Sequence, residues 1–239
     1  MLTSMTQLLL KLPEIVYFAT TSQVKFDQYS VIFADHGVEL RRATSVSSIL
    51  IEPQATDEPS SDVNIVAHPL RIAARFLTRL GQFPYMIEDT MLFIEAFCAN
   101  PIASNGLPGA DTKNWWANFG DTGVIRLMEG YENRAARYVC QLGAYLGAHR
   151  YVFDRYTAGG NISDSPRISE KAKRDYPRSN PNHFHSIFVP DGAIETLGEM
   201  DAKCFVRYDY RRRCAESFLT QLRNEQMTWP KVEPTLFNL

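Results

Sequence analysis

Apolar residues gather at 14–20 (Glu-Ile-Val-Tyr-Phe-Ala-Thr), and their β-branched and aromatic content predicts a buried strand. Thr20-Thr21-Ser22 interrupts the run with residues suited to a helix N-cap. Val24, Phe26, Tyr29, Val31, Ile32 and Phe33 then predict a helix that stops near His36-Gly37, with glycine as its C-terminal cap. Val38 to Leu40 begin a second strand. Residues 52–64 are rich in Pro, Asp, Glu, Ser and Thr and read as a loop. Leu70, Ala73, Ala74, Leu77 and Leu80 recur at helical spacing and predict a helix over 67–80. Residues 84–97 read as one strand or two short ones, 99–109 as a loop and 110–129 as a helix. Residues 134–146 and 150–157 read as a hairpin turning at Gly147. A polar stretch, 158–185, reads as a long loop or edge segment, followed by a short strand at 186–190. A last helix is expected over 199–223 and an irregular tail over 224–239. Strands alternating with helices predict an α/β or mixed architecture.

Composition narrows the class. The chain has 239 residues, 45% hydrophobic and 22% charged, which suits one domain with a sizeable core over 1–239. A net charge of -2 gives no global electrostatic reason to expect nucleic acid as a partner. No run approaches the roughly 20 apolar residues of a membrane span, and Leu8-Leu9-Leu10 is too short, and lacks the basic flank, for a signal peptide. Cys98, Cys140, Cys204 and Cys214 form no Cys-x-x-Cys pair and read as isolated thiols of a reducing, cytoplasmic compartment.

The candidate chemistry begins with Glu88-Asp89, adjacent acids inside an apolar run. Burying them unpaired would cost several kcal/mol each, and a divalent cation is a natural compensator. Thr20 to Lys25 follows a strand and opens a helix, so backbone N–H groups, hydroxyls and one lysine there suit an anion, although an ordinary N-cap uses the same residues. His183-x-His185 would be half a zinc site if both imidazoles shared a strand face, with no third ligand in view. Arg211-Arg212-Arg213 and the basic 167–178 segment read as solvated, with one arginine of the triplet able to enter a cleft.

Taken in order, these pieces resemble the inosine triphosphate pyrophosphatase family over residues 14–222. The family's T-G-N-x-x-K loop appears as Thr20 to Lys25, its E-x-Q element as Glu52-Pro53-Gln54, and its V-E-D-T-x-L element as Ile87 to Leu92. Its G-L-P-G-x-x-x-K-W element appears as Gly106 to Trp115 with one extra residue before the tryptophan, and its F-x-P-D-G-x-x-x-T-x-x-E-M element as Phe188 to Met200. The resemblance implies an elongated mixed α/β fold, a long central sheet with flanking helices, and two lobes around a nucleotide cleft. It implies a homodimer that cleaves a nucleoside triphosphate to monophosphate and pyrophosphate with Mg2+. It implies that Thr20, Thr21, Ser22 and Lys25 hold phosphate oxygens, that Lys113 and Arg71 complete the clamp, that Glu52 and Asp89 ligate magnesium, and that Glu88 assists at the metal or positions water.

Departures cluster at the base. Thr21 and Ser22 stand where the family has glycine and asparagine. The family's F-G-W-D-P-x-F aligns with Asn182 to Phe188, so Phe184 keeps an aromatic while His185 replaces the aspartate and Ser186 the proline. Its S-H-R aligns with Asp209-Tyr210-Arg211, and its lysine five residues before that histidine is Phe205. The phosphate half is retained and the nucleobase half rewritten, so a changed base specificity is expected around Phe184, His185, Tyr210 and Arg211.

Overall fold

The computed structural model describes residues 12–43, 66–98, 107–109, 112–181 and 183–225. Seven strands form one mixed sheet in the order β2-β1-β3-β5-β6-β7, with β4 paired to β3. The strands are β1 (Ile15–Phe18), β2 (Glu39–Arg42), β3 (Tyr85–Ile94), β4 (Leu107–Gly109), β5 (Ala135–Tyr145), β6 (Tyr151–Ile162) and β7 (Phe188–Pro190). The helices are α1 (Gln23–Ala34), α2 (Ala67–Leu77), α3 (Glu95–Cys98), α4 (Thr112–Leu127), α5 (Glu170–Arg174), α6 (Ala202–Phe205) and α7 (Tyr210–Glu225). Strand β1 is parallel to β2 and β3, and the remaining pairs are antiparallel.

Helices cover both faces. Tyr29, Ile32 and Phe33 of α1 and Cys214, Phe218 and Leu222 of α7 join the larger core with Phe18, Met86 and Leu142. Leu70, Ala73 and Leu77 of α2 make a second core with Tyr85, Ile87 and Tyr145. Alternation along β3 explains the division, since Tyr85 and Ile87 face α2 while Met86 faces the other layer. The connections from β1 to β2 and from β2 to β3 carry helices on opposite faces, while β1 lies between β2 and β3. The chain therefore splits at the carboxyl ends of β1 and β3, the place where open α/β sheets leave a crevice.

Several expectations differ from the structure: β4 lies at the end of the expected loop 99–109, α3 begins at Glu95 within the expected strand 84–97, and α5 lies within the polar stretch 158–185. Strand β6 continues to Ile162, past the expected end at 157. Gly159 and Gly160 look like loop residues in the sequence but permit close packing, since a Cβ on Gly160 would collide with the Val189 carbonyl of β7 and the Phe188 ring. The helix expected over 110–129 is interrupted at Gly120, where φ is 57° and ψ is -172°. The helix expected over 199–223 is two helices. Asp209 causes the break by accepting from the backbone N–H groups of Arg211 at 3.0 Å and Arg212 at 3.1 Å, so it caps α7 as a separate helix. The acid-bearing run, by contrast, is one strand, with β3 paired to β5 from Tyr85↔Tyr145 to Ile94↔Ala136. Among the described residues, no helix is long and apolar enough to cross a membrane.

Candidate active site

Helix α1 begins in the crevice. Ser22 has extended backbone, and its hydroxyl accepts from the Lys25 N–H at 3.2 Å; the Ser22 N–H donates to Thr20 Oγ1 at 3.1 Å. These local bonds turn the chain out of β1 and into a 12-residue helix, whose first residues line the crevice. A cavity of about 380 Å³ opens here, with Thr20, Thr21, Ser22, Lys25, Glu88 and Asp89 along one end.

The acid pair is compensated by cations. Lys25 Nζ lies 2.9 Å from Glu88 Oε2 and 3.6 Å from Asp89 Oδ1. Arg211 Nε reaches Glu88 Oε1 at 3.4 Å, and the Thr90 hydroxyl donates to the same oxygen. Burial pushes the Glu88 carboxyl up, but Lys25 and Arg211 outweigh it and hold Glu88 below the usual carboxylate range. At Asp89 burial prevails over the pull of Lys25, the charge of Glu88 adds to it, and the carboxyl rises to about 6. Neighbouring acids thus differ in proton affinity, an arrangement suited to one permanently ionised carboxylate and one that titrates near neutrality.

Asp89 Oδ2 is buried without a hydrogen-bond partner among the described residues, and Glu88 Oε2 has its ion pair but no aligned hydrogen bond. Orphaned carboxylate oxygens on a cavity wall fit a hard divalent cation. Among the described residues no group of three or more His, Cys, Asp or Glu could hold a metal. Magnesium is commonly bound by one or two carboxylates plus phosphate oxygens and water, so Asp89 with one further acid meets that requirement. Glu52, expected to be that acid, lies outside the described residues.

Arg211 is held from behind. Its Nη1 donates to Gln28 Oε1 at 2.9 Å, and Asn180 Nδ2 donates to the same oxygen at 3.3 Å. Gln28 Nε2 lies 3.4 Å from both Asp209 carboxylate oxygens. Sequence reasoning missed Gln28, although its spacing of three from Lys25 on α1 places it on the same helix face. Replacing Gln28 with Leu would leave Arg211, Asn180 and Asp209 each short of a partner in a buried site. We expect a loss of about 3 kcal/mol in urea denaturation, a larger effect than that of the exposed Arg41→Ala.

Lys113 and Trp116, three residues apart on α4, also line the cavity. Thr112 anchors that helix start, accepting from the Leu92 N–H at 2.8 Å and donating to the Gly109 carbonyl at 2.5 Å. Tyr138, His185, Tyr210 and Arg211 also line the cavity. Tyr138 and Trp116 are aromatics that sequence reasoning missed; only spacing from Lys113 could have pointed to Trp116.

Two expected residues sit elsewhere. Arg71 is exposed on α2 and is not among the residues that line the cavity. Phe184 is fully buried in the larger core, so its ring does not face the cavity. His185 lies in a short 3-10 turn at His183–Ser186. Both of its ring nitrogens are taken, Nδ1 by the Asn180 carbonyl at 2.5 Å and Nε2 by the Tyr210 hydroxyl at 2.7 Å, which leaves neither for zinc. The basic 167–178 segment is largely paired, through Arg167–Glu199, Lys171–Asp201, Lys173–Glu170 and Arg178–Asp35.

The fold is that of a mixed α/β protein, with a crevice in which a helix N-terminus, a lysine and two carboxylates meet. The chain belongs to the Ham1 family, whose model matches residues 16–221. It is 28% identical over 209 residues to a dITP/XTP pyrophosphatase of Methanopyrus kandleri, covering 87% of this chain and 96% of that protein. It is 30% identical over 164 residues to an inosine triphosphate pyrophosphatase of Candida albicans, covering 67% and 66% of the two chains. The fold matches the structure of a HAM1 protein from Coxiella burnetii with a TM-score of 0.61 at 18% identity, over 91% of this chain and 100% of that one. The Staphylococcus aureus Ham1 protein matches with a TM-score of 0.60 at 16% identity, over 88% and 99%.

Proposed function

We propose that this protein is a Mg2+-dependent nucleoside triphosphate pyrophosphohydrolase, converting a nucleoside triphosphate and water to monophosphate and pyrophosphate, with a changed base specificity. The observation that carries the reading is the Lys25–Glu88–Asp89 cluster at the N-terminus of α1, inside a cavity large enough for a nucleotide. The names of the archaeal and yeast relatives support the reaction class.

Anhydride cleavage needs charge neutralisation and alignment more than covalent chemistry. Thr20, Thr21, Ser22 and the α1 N-terminus would hold phosphate oxygens by hydrogen bonds. Lys25 and Lys113, both lining the cavity, would add positive charge. Asp89 and Glu52 would hold magnesium, which supplies Lewis-acid polarisation of the phosphates when bound. Glu88 stays ionised between Lys25 and Arg211, where it orients both cations and can align a water. Arg211, fixed by Gln28 and Glu88, keeps its charge directed at the cavity.

The test is pyrophosphate release from a panel of ordinary and deaminated nucleoside triphosphates, with magnesium and with EDTA. Magnesium-dependent release from at least one nucleotide is expected, and EDTA should reduce it to background. Binding without release would favour a second reading, a nucleotide-binding protein that has lost catalysis. The observation on its side is Thr21, whose side chain stands where the family's phosphate loop has glycine. Light scattering should give twice the chain mass for the homodimer that the resemblance implies. The free thiols of Cys140, Cys204 and Cys214 support a reducing, cytoplasmic setting, and a single domain spanning 1–239 is consistent with the one continuous sheet.

A further inference from the structure

A nucleoside triphosphate brings a flat base as well as phosphates. Four ring-bearing side chains line the cavity: Trp116, Tyr138, His185 and Tyr210. Three of them are closed. Tyr138, His185 and Tyr210 are at most 2% exposed. The Tyr138 and Tyr210 rings stack on each other with centroids 4.5 Å apart and planes at 17°, and His185 stands edge-on to both at 5.7 Å. Phe188 meets Tyr138 at a steep angle at 4.7 Å. Rings packed in this way can offer a ligand an edge or a hydroxyl, but not an open face. Phe184, the aromatic expected at the base from the sequence, is fully buried in the core.

Trp116 differs. It lines the cavity and is 37% exposed. Its indole N–H is directed at the Asp121 carboxylate, and the Ser186 hydroxyl donates to the same carboxylate. Residues five apart on an unbroken helix point in different directions. The interruption of α4 at Gly120 falls between Trp116 and Asp121 and permits the contact. Ser186 belongs to the turn His183–Ser186 and stands where the family has proline, so one carboxylate ties the indole to that turn. Lys113 lies three residues before Trp116 on α4, which makes the ring a neighbour of a cation suited to phosphate.

We infer that Trp116 is the stacking platform for the nucleobase, a role that the burial of Phe184 leaves vacant, and that Asp121 positions its indole. Every base has a π-face, so the platform adds affinity for any base and leaves selection among bases to the polar groups around it. The inference rests on the cavity being a triphosphate site.

Calorimetric titration in magnesium with inorganic tripolyphosphate, and with α,β-methylene triphosphates of adenosine, guanosine, inosine and uridine, separates the two. Trp116→Ala is expected to weaken the tightest-binding analogue by roughly tenfold to a hundredfold and to leave tripolyphosphate within about twofold. Trp116→Phe, which keeps a ring, should lose no more than about fivefold. Asp121→Ala should weaken the analogue several-fold in the unaltered protein and not in Trp116→Phe, which has no N–H to anchor. An equal effect in both backgrounds would remove the positioning role of Asp121. Unchanged analogue affinity in Trp116→Ala would overturn the inference, as would a parallel loss of tripolyphosphate binding. The expected pattern without pyrophosphate release from any hydrolysable triphosphate would sustain the inference and remove the hydrolase reading. Failure of tripolyphosphate and all four analogues to bind the unaltered protein would overturn both.

Discussion

Asp89→Asn is expected to lower pyrophosphate release by about 10³-fold, the scale of losing a charged group that acts on the reacting phosphates. The same change should make the metal-free protein more stable. Asp89 titrates near 6 in the folded protein against an ordinary value of 3.8. A carboxyl raised in this way adds no penalty below pH 3.8, an increasing one between 3.8 and 6, and the full one above 6. The shift corresponds to about 3 kcal/mol at neutral pH. Asparagine removes the charge, while Glu88 remains to hold Lys25 at 2.9 Å. Thermal unfolding in EDTA at pH 7.5 should therefore show a rise of about 6–12 °C, and at pH 4 the two proteins should unfold together. A lower melting temperature at pH 7.5 would mean that Asp89 supports the fold rather than straining it.

Lys25→Met should act in the opposite direction on stability and in the same direction on activity. Lys25 is the cation shared by both acids, and its own pKa is raised because Glu88 and Asp89 overcome the effect of burial. Its loss leaves Asp89 with no ion pair among the described residues and Glu88 with only Arg211 at 3.4 Å. Breaking a buried pair typically costs about 3–5 kcal/mol, or roughly 10 °C for a chain of this size. The loss should be greatest at neutral pH. In the unaltered protein Glu88 lies below its ordinary value of 4.5, so the stability it contributes is present above that pH and fades as acid protonates it. The deficit of Lys25→Met should accordingly shrink on acidification, measured by urea denaturation at pH 7.5 and 4. A deficit unchanged with pH would assign it to lost packing around the lysine stem. Triphosphate affinity should fall as well, because the cation in the first turn of α1 is gone.

Local pattern carried much of the fold. The strand at 14–20, the Ser22 cap and the helix after it were legible because they depend on neighbours within four residues. The hairpin was legible because Gly147 and flanking apolar runs mark it locally. The ends of β6 and the break before α7 were not. Gly159 and Gly160 are explained only by β7, which lies some 30 residues further along the chain, and the capping role of Asp209 was concealed inside an otherwise helical sequence.

The same division runs through the candidate site. Sequence by itself determined the reaction chemistry on offer: a lysine at a helix start, two adjacent acids in an apolar strand, and the order of family motifs around them. Only the tertiary structure decided which cation serves which acid, that Gln28 fixes Arg211, that Phe184 lies in the core, and that His185 and Tyr210 satisfy each other. The physical reason is range. Capping and strand character follow from adjacent residues, whereas hydrogen-bond direction and burial depend on groups brought together from distant strands and helices, 25 residues apart for His185 and Tyr210 and 123 for Glu88 and Arg211.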